Sequence, residues 1–102
     1  MTESPIPYRV TYSERVRQRL KALGHEATQR GDGPQFVAAL KEFHRLLGLY
    51  PQFGEPYLDL NVESGQIYKG FIRPLAMRYA VYEDRRLVMV VAIPVLLPMA
   101  NS

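Results

Sequence analysis

Apolar positions along this chain first alternate, then recur every three to four residues, then alternate again. Tyr8, Val10 and Tyr12 fall on one side of an extended segment and Arg9 and Thr11 on the other, the period of a half-buried strand. Ser13 then offers a helix cap, and Glu14 stands in the first turn, where the helix dipole favours a negative charge. Val16, Leu20, Leu23 and Ala27 continue as one apolar stripe at helical spacing. Gly24 weakens the middle of that helix and leaves its end between Leu23 and Arg30. The break Gly31-Asp32-Gly33, followed by Pro34, opens a second helix. Its stripe is Phe36, Leu40, Phe43 and Leu47 with Ala39 beside it, while Lys41, Glu42 and Arg45 point elsewhere. Gly48 and Pro51 stop it, and the short break between the helices predicts an antiparallel hairpin.

From Leu49 to Gly65 the prolines, glycines and acids predict a connecting loop. Three strands are expected after it, over Gln66–Arg73, Met77–Glu83 and Leu87–Val95, with turns at Pro74-Leu75 and Glu83–Arg86. The last of these is apolar on both faces, which suits an interior position covered on both sides or set against a partner. The order β-α-α-β-β-β defines an α+β domain, a helical hairpin packed on one face of a mainly antiparallel four-stranded sheet. The reading is one domain over residues 1–102, with 1–7 and 97–102 as loose tails. The second face of the sheet is then free for work.

Composition supports a single folded unit. The 102 residues are 47% hydrophobic and 23% charged, the balance of a globular chain with a real core. Thirteen Lys and Arg against ten Asp and Glu leave a net charge of +3, which permits an anionic partner without demanding one. The absence of cysteine excludes disulfides, thiolate metal sites and a cysteine nucleophile. His25 and His44 are the only histidines, so no metal site and no cofactor is expected. No basic segment followed by an apolar run marks the N-terminus as a secretory signal, and Leu87–Leu97 is too short to span a bilayer as a helix. The expectation is a cytoplasmic protein with no membrane association.

The candidate chemistry lies in the hairpin of the last strands. Alternation puts Ile67, Lys69, Phe71 and Arg73 on one face of their strand, and Arg78, Ala80 and Tyr82 on one face of the next. If Met77, Tyr79 and Val81 face the helices, Arg78 joins the open side. Cations among aromatics suit phosphate contacts with base stacking, but they also suit a solvated sheet face with snorkelling side chains. The cations Arg15, Arg17, Arg19 and Lys21 flank both edges of the first helical stripe, as on any amphipathic helix kept soluble. Neither histidine has a partner nucleophile or carboxylate at suitable spacing. Glu55, Asp59 and Glu63 are scattered along the expected loop and read as solvating charges. Val95, Leu96, Leu97 and Met99 either pack back on the domain or form an apolar patch for another chain.

The order of elements, together with YKGFIRPLAMRYAVYEDRRLVMVVAIPV, resembles the RelE/ParE superfamily of bacterial toxins. The most characteristic part is a cationic strand, a short turn, an arginine near the start of the next strand, then an acidic turn and an apolar strand. The resemblance runs from Tyr8 to Val95 and includes LYPQFGEPYLDL as the loop after the hairpin. It implies the toxin of a type II toxin–antitoxin pair, with a cognate antitoxin as partner. The cellular target would be the ribosome and its mRNA, which RelE-like members cleave, or DNA gyrase, which ParE-like members inhibit. By position Lys69 would activate or hold an attacking 2′-hydroxyl, and Arg78 would stabilise phosphate charge in the transition state. Arg73, Phe71 and Tyr82 would contribute to target binding. Two positions depart from the RNA-cleaving pattern. Phe71 stands where a second lysine is found, and no Lys, Arg, His or Tyr follows Arg86. The departures leave a second reading, a non-catalytic binding or assembly module of the same fold, with homodimer formation as one form it takes.

Overall fold

The structure, a computed structural model, describes residues 6–59 and 65–97. The elements run β1 (Arg9–Tyr12), α1 (Glu14–Gln29), α2 (Gly33–Leu49), β2 (Glu55–Asp59), β3 (Gly65–Ile72), β4 (Leu75–Tyr82), β5 (Leu87–Val90) and β6 (Val95–Leu96). Ser13 caps α1, its hydroxyl accepting from the Val16 N–H at 3.1 Å. The helix runs through Gly24 and ends at Gln29, beyond which Gly31 takes a φ of 85°. Arg30 then bridges Asp32 at 3.2 Å and donates to the Leu97 carbonyl at 3.1 Å, tying the last described residue to the interhelical turn.

The sheet has the order β1-β5-β4-β3-β2, with β6 also pairing β4. β1 runs parallel to β5 and every other pair is antiparallel. The expected layering holds: two helices on one face of a mixed sheet, an α+β fold. The strand count is a correction, six among the described residues in place of four. Within the expected loop Leu49–Gly65 the chain makes a 3-10 turn at Pro51–Phe53 and then β2. Pro56 is compatible with a strand there because β2 is at the sheet edge, where a missing N–H costs no ladder bond. β4 begins at Leu75, two residues early, because the turn is confined to Arg73-Pro74. The strand expected over Leu87–Val95 breaks after Val90 and resumes at Val95, since buried Pro94 offers no N–H to the edge of β4. Of the two tails, residues 1–5 and 98–102, with Met99, lie outside the described residues, as do 60–64 with Glu63.

The core forms where the helical stripes meet one face of β4. Val16, Leu23, Phe43 and Leu47 are sealed against Leu75, Met77, Tyr79, Val81, Val88 and Val90. A chain of rings crosses it: Phe43 meets Phe53 edge-on at 5.5 Å, and Phe53 and Tyr68 each stack on Tyr79, at 6.0 and 5.9 Å. Gly70 lies beneath this chain, where a Cβ would stand 3.0 Å from both Phe43 and Phe53 and the rings would have to give way. The Tyr79 hydroxyl donates to the Pro51 carbonyl at 2.7 Å and receives the Gly54 N–H. Burial pushes this phenol well above the ordinary tyrosine value, with the Gly54 N–H opposing. One side chain from the middle of the sheet thus anchors the turn that launches β2. No described helix is long and apolar enough to cross a membrane.

Candidate functional site: the open sheet face

With Tyr68, Ile72, Leu75, Met77, Tyr79 and Val81 turned toward the helices, the intervening residues of β3 and β4 point to the uncovered side. Register then builds rows across the strands. Phe71, Ala76 and Val95 form one, at the end of the sheet near the β3–β4 turn. The next is Glu55, Lys69 and Arg78. Beyond it Ile67, Ala80, Met89 and Thr11 continue the face, followed by Gly65, Tyr82, Leu87 and Arg9. Directly paired residues hold their Cβ atoms roughly 4.5–5.5 Å apart, so Lys69 and Arg78 are immediate neighbours.

An aromatic ring joins them. A bulge between Pro56 and Leu58 adds a residue to β2, and Tyr57 reaches over the pair. Lys69 Nζ lies 5.4 Å from the centroid of the Tyr57 ring and Arg78 Cζ 5.3 Å from it. Lys69 Nζ is also 5.4 Å from the Phe71 ring, which is 49% exposed. Neither cation forms an ion pair with a described carboxylate. Two adjacent positive charges resting on aromatic faces, with water access on one side, have the chemistry that an anion would meet favourably.

The other residues singled out in the sequence are placed differently. Arg73 lies beyond the end of β3, exposed in the turn before Pro74, so strand alternation does not extend to it. Tyr82 is on the same face but four residues along β4 from Arg78, about 13 Å at roughly 3.3 Å per residue. Its ring covers Gly65 and carries Arg85 at 5.4 Å. Tyr57 and Glu55 are the residues that the pattern missed, because their segment was assigned to a loop. Glu55 is in fact the carboxylate across the strand from Lys69.

A second feature lies along the seam of the helical hairpin. Leu20, Phe36, Val37 and Leu40 floor a groove of about 880 Å3 between α1 and α2. Arg17, Lys21 and Lys41 are among its lining residues, and none of the described lining residues is Asp or Glu. Tyr12 and His44 close one end, with the hydroxyl 2.8 Å from His44 Nδ1 and burial pushing the Tyr12 phenol up to about 12. The cations read as solvating flanks of α1 therefore include part of a rim.

In its fold, a helical hairpin over one face of such a sheet, the chain is similar to RelE-like toxins. A chain of the archaeal RelE–RelB complex from Pyrococcus horikoshii is similar at a TM-score of 0.60, with 16% identity, covering 91% of this chain and 98% of that one. A chain of the RelBE2 toxin–antitoxin complex from Mycobacterium tuberculosis is similar at a TM-score of 0.60, with 18% identity, covering 93% and 97%. No protein-family model and no curated protein sequence matches this chain.

Proposed function

We propose that this chain is the toxin-type component of a type II toxin–antitoxin pair and that it acts on RNA through the open face of its sheet. The observation that carries the reading is the Lys69–Arg78 pair, adjacent in register on the uncovered side, without an ion-pair partner among the described carboxylates. A polyanion is the ligand such a pair favours, which makes RNA a better fit than a gyrase surface. Cleavage would be an in-line displacement at phosphorus: the 2′-oxygen–phosphorus bond forms and the bond to the 5′-oxygen breaks. Lys69 would hold the attacking hydroxyl, Glu55 is the carboxylate placed in its row to take the proton, and Arg78 would meet the charge that develops on the phosphate oxygens. The 5′-oxygen would draw its proton from water or from the ribosome, since Tyr82 is too far along the strand.

The antitoxin reading draws on the two similar structures, which come from RelE–RelB and RelBE2 complexes, and on the hairpin groove. Its apolar floor and cationic rim fit the apolar stripe and acidic flanks of an amphipathic helix. Expression of the chain alone is expected to arrest growth within one generation time of induction. The arrest requires Lys69 and Arg78 and is relieved by coexpressing the product of the adjacent gene. Labelled-methionine incorporation and plasmid supercoiling separate the two targets. Undiminished growth with soluble protein present would remove the toxin reading, and a change in supercoiling with translation intact would move the target to gyrase.

A further inference from the structure

The break between β5 and β6 shapes the open face beside the cations. β5 pairs Ala80 to Tyr82 of β4, and β6 pairs Leu75 and Ala76, so neither covers the β4 edge from Met77 to Tyr79. Val91 and Ile93, in the segment that swings out there, are 54% and 37% exposed. A recess of about 200 Å3 opens above that stretch. Among the described residues its walls are Tyr57, Ile67, Tyr79, Ala80, Val91 and Ala92, with Arg78 the one charged residue that lines it.

Three properties restrict what fits. The volume lies below the roughly 300–1,000 Å3 of pockets for drug-sized ligands, which leaves room for one flat ring system. The walls are largely apolar, so they suit the face of a ring whose polar edge stays toward the Arg78 guanidinium or the open mouth. The recess also opens beside the two cations, because Tyr57 and Arg78 belong to both features.

We propose that this recess is a nucleobase subsite, which seats one unstacked base of a single strand against Tyr57 and Val91 while the adjoining phosphate rests on Lys69 and Arg78. It builds on the reading of the open face as a polyanion site and adds a requirement that reading lacks. One base must leave its neighbours, so a duplex, whose bases are paired and stacked, is excluded. Affinity then has two separable parts, a salt-dependent one from the cations and a salt-independent one from the ring in the recess.

The test is fluorescence anisotropy with the full chain and fluorescein-labelled RNA hexamers, intact, double-stranded, or abasic at one position in turn. The intact single strand is expected to bind about tenfold more tightly than the duplex, and one abasic position is expected to cost a similar factor. Ala92→Leu, which fills the recess without replacing either cation, is expected to erase the difference between intact and abasic strands while keeping the slope of affinity against salt. Tyr57→Leu is expected to do the same with a further loss from the disturbed cations. Lys69→Ala and Arg78→Ala are expected to flatten the salt slope and weaken every oligonucleotide alike. Equal binding of intact and abasic strands at every position, with the salt slope still dependent on Lys69 and Arg78, overturns the subsite and leaves the polyanion reading standing. A salt slope unaffected by either cation overturns both. A tryptophan-bearing peptide that displaces the RNA only when the recess is unfilled would reassign the subsite to a protein side chain.

Discussion

Replacing Tyr79 with phenylalanine removes one oxygen from the middle of the domain and tests how β2 is held. That hydroxyl is the hydrogen-bond donor to the carbonyl of buried Pro51, at 2.7 Å, and the Gly54 N–H donates to it in turn. The ring itself, 1% exposed between Phe53 and Tyr68, keeps its stacking in the variant. The loss therefore reduces to the two backbone groups left behind. A buried acceptor without a partner costs about 1–3 kcal/mol, and the Gly54 N–H loses its acceptor as well. Taking about 2 kcal/mol, and about 4–8 °C per kcal/mol for a domain near this size, the melting temperature falls by roughly 8–16 °C. Urea unfolding followed by circular dichroism measures it, with the midpoint lowered and the slope unchanged. Amide exchange gives the local reading: Gly54 and Tyr57 should exchange faster than the global loss accounts for, while Val81 and Val88 follow the global rate. A midpoint shift worth less than about 0.5 kcal/mol, below the smallest cost expected for a stranded buried acceptor, would show that the hydroxyl is not what pins the turn.

Two further outcomes follow from the core and from burial. Phe43→Ala, at a residue with no exposure that contacts Phe53, is expected to cost about 3–5 kcal/mol by equilibrium unfolding. A cost near 1 kcal/mol would mean that the ring chain collapses to fill the space. Tyr12 ionises near 10 in the unfolded chain and at about 12 in the folded one, so the folded state retains its proton longer. The contribution is fully present below pH 10 and is lost as pH rises from 10 towards 12. Tyr12→Phe is expected to remove that part of the decline in a urea series from pH 9 to 12, and an unchanged profile would refute the assignment.

Much of this architecture is legible in the residues because helical and strand periods impose burial directly. The stripes of α1 and α2 name the side chains that close the core, and alternation along β4 names the face that Arg78 occupies. What the sequence hides is long-range. EPYLD contains a proline and two acids, the composition of a loop, and becomes a strand only because β3 offers its edge. Tyr57 reaches the cations through a bulge, which no period-two reading anticipates. The apolar run after Leu87 is a strand by composition, yet it divides where Pro94 cannot join the ladder and where the recess then forms. Arg73 shows the opposite failure. Alternation extended one residue past the true end of β3 assigns it a face that a turn residue need not keep.

The adjacency of Lys69 and Arg78 also has a bearing on how this protein tolerates change. Like charges directly opposed on neighbouring strands repel, while cation–aromatic contacts with Tyr57 and Phe71, and Glu55 across from Lys69, work against that repulsion. The fold thus draws little net stability from carrying both, and a neutral residue at either position costs it little. Drift under selection for stability alone would erode the pair early, whereas Leu75, Val81 and Phe43 would persist. Among descendants of this chain, those that keep both cations are the ones in which something outside the fold still requires them.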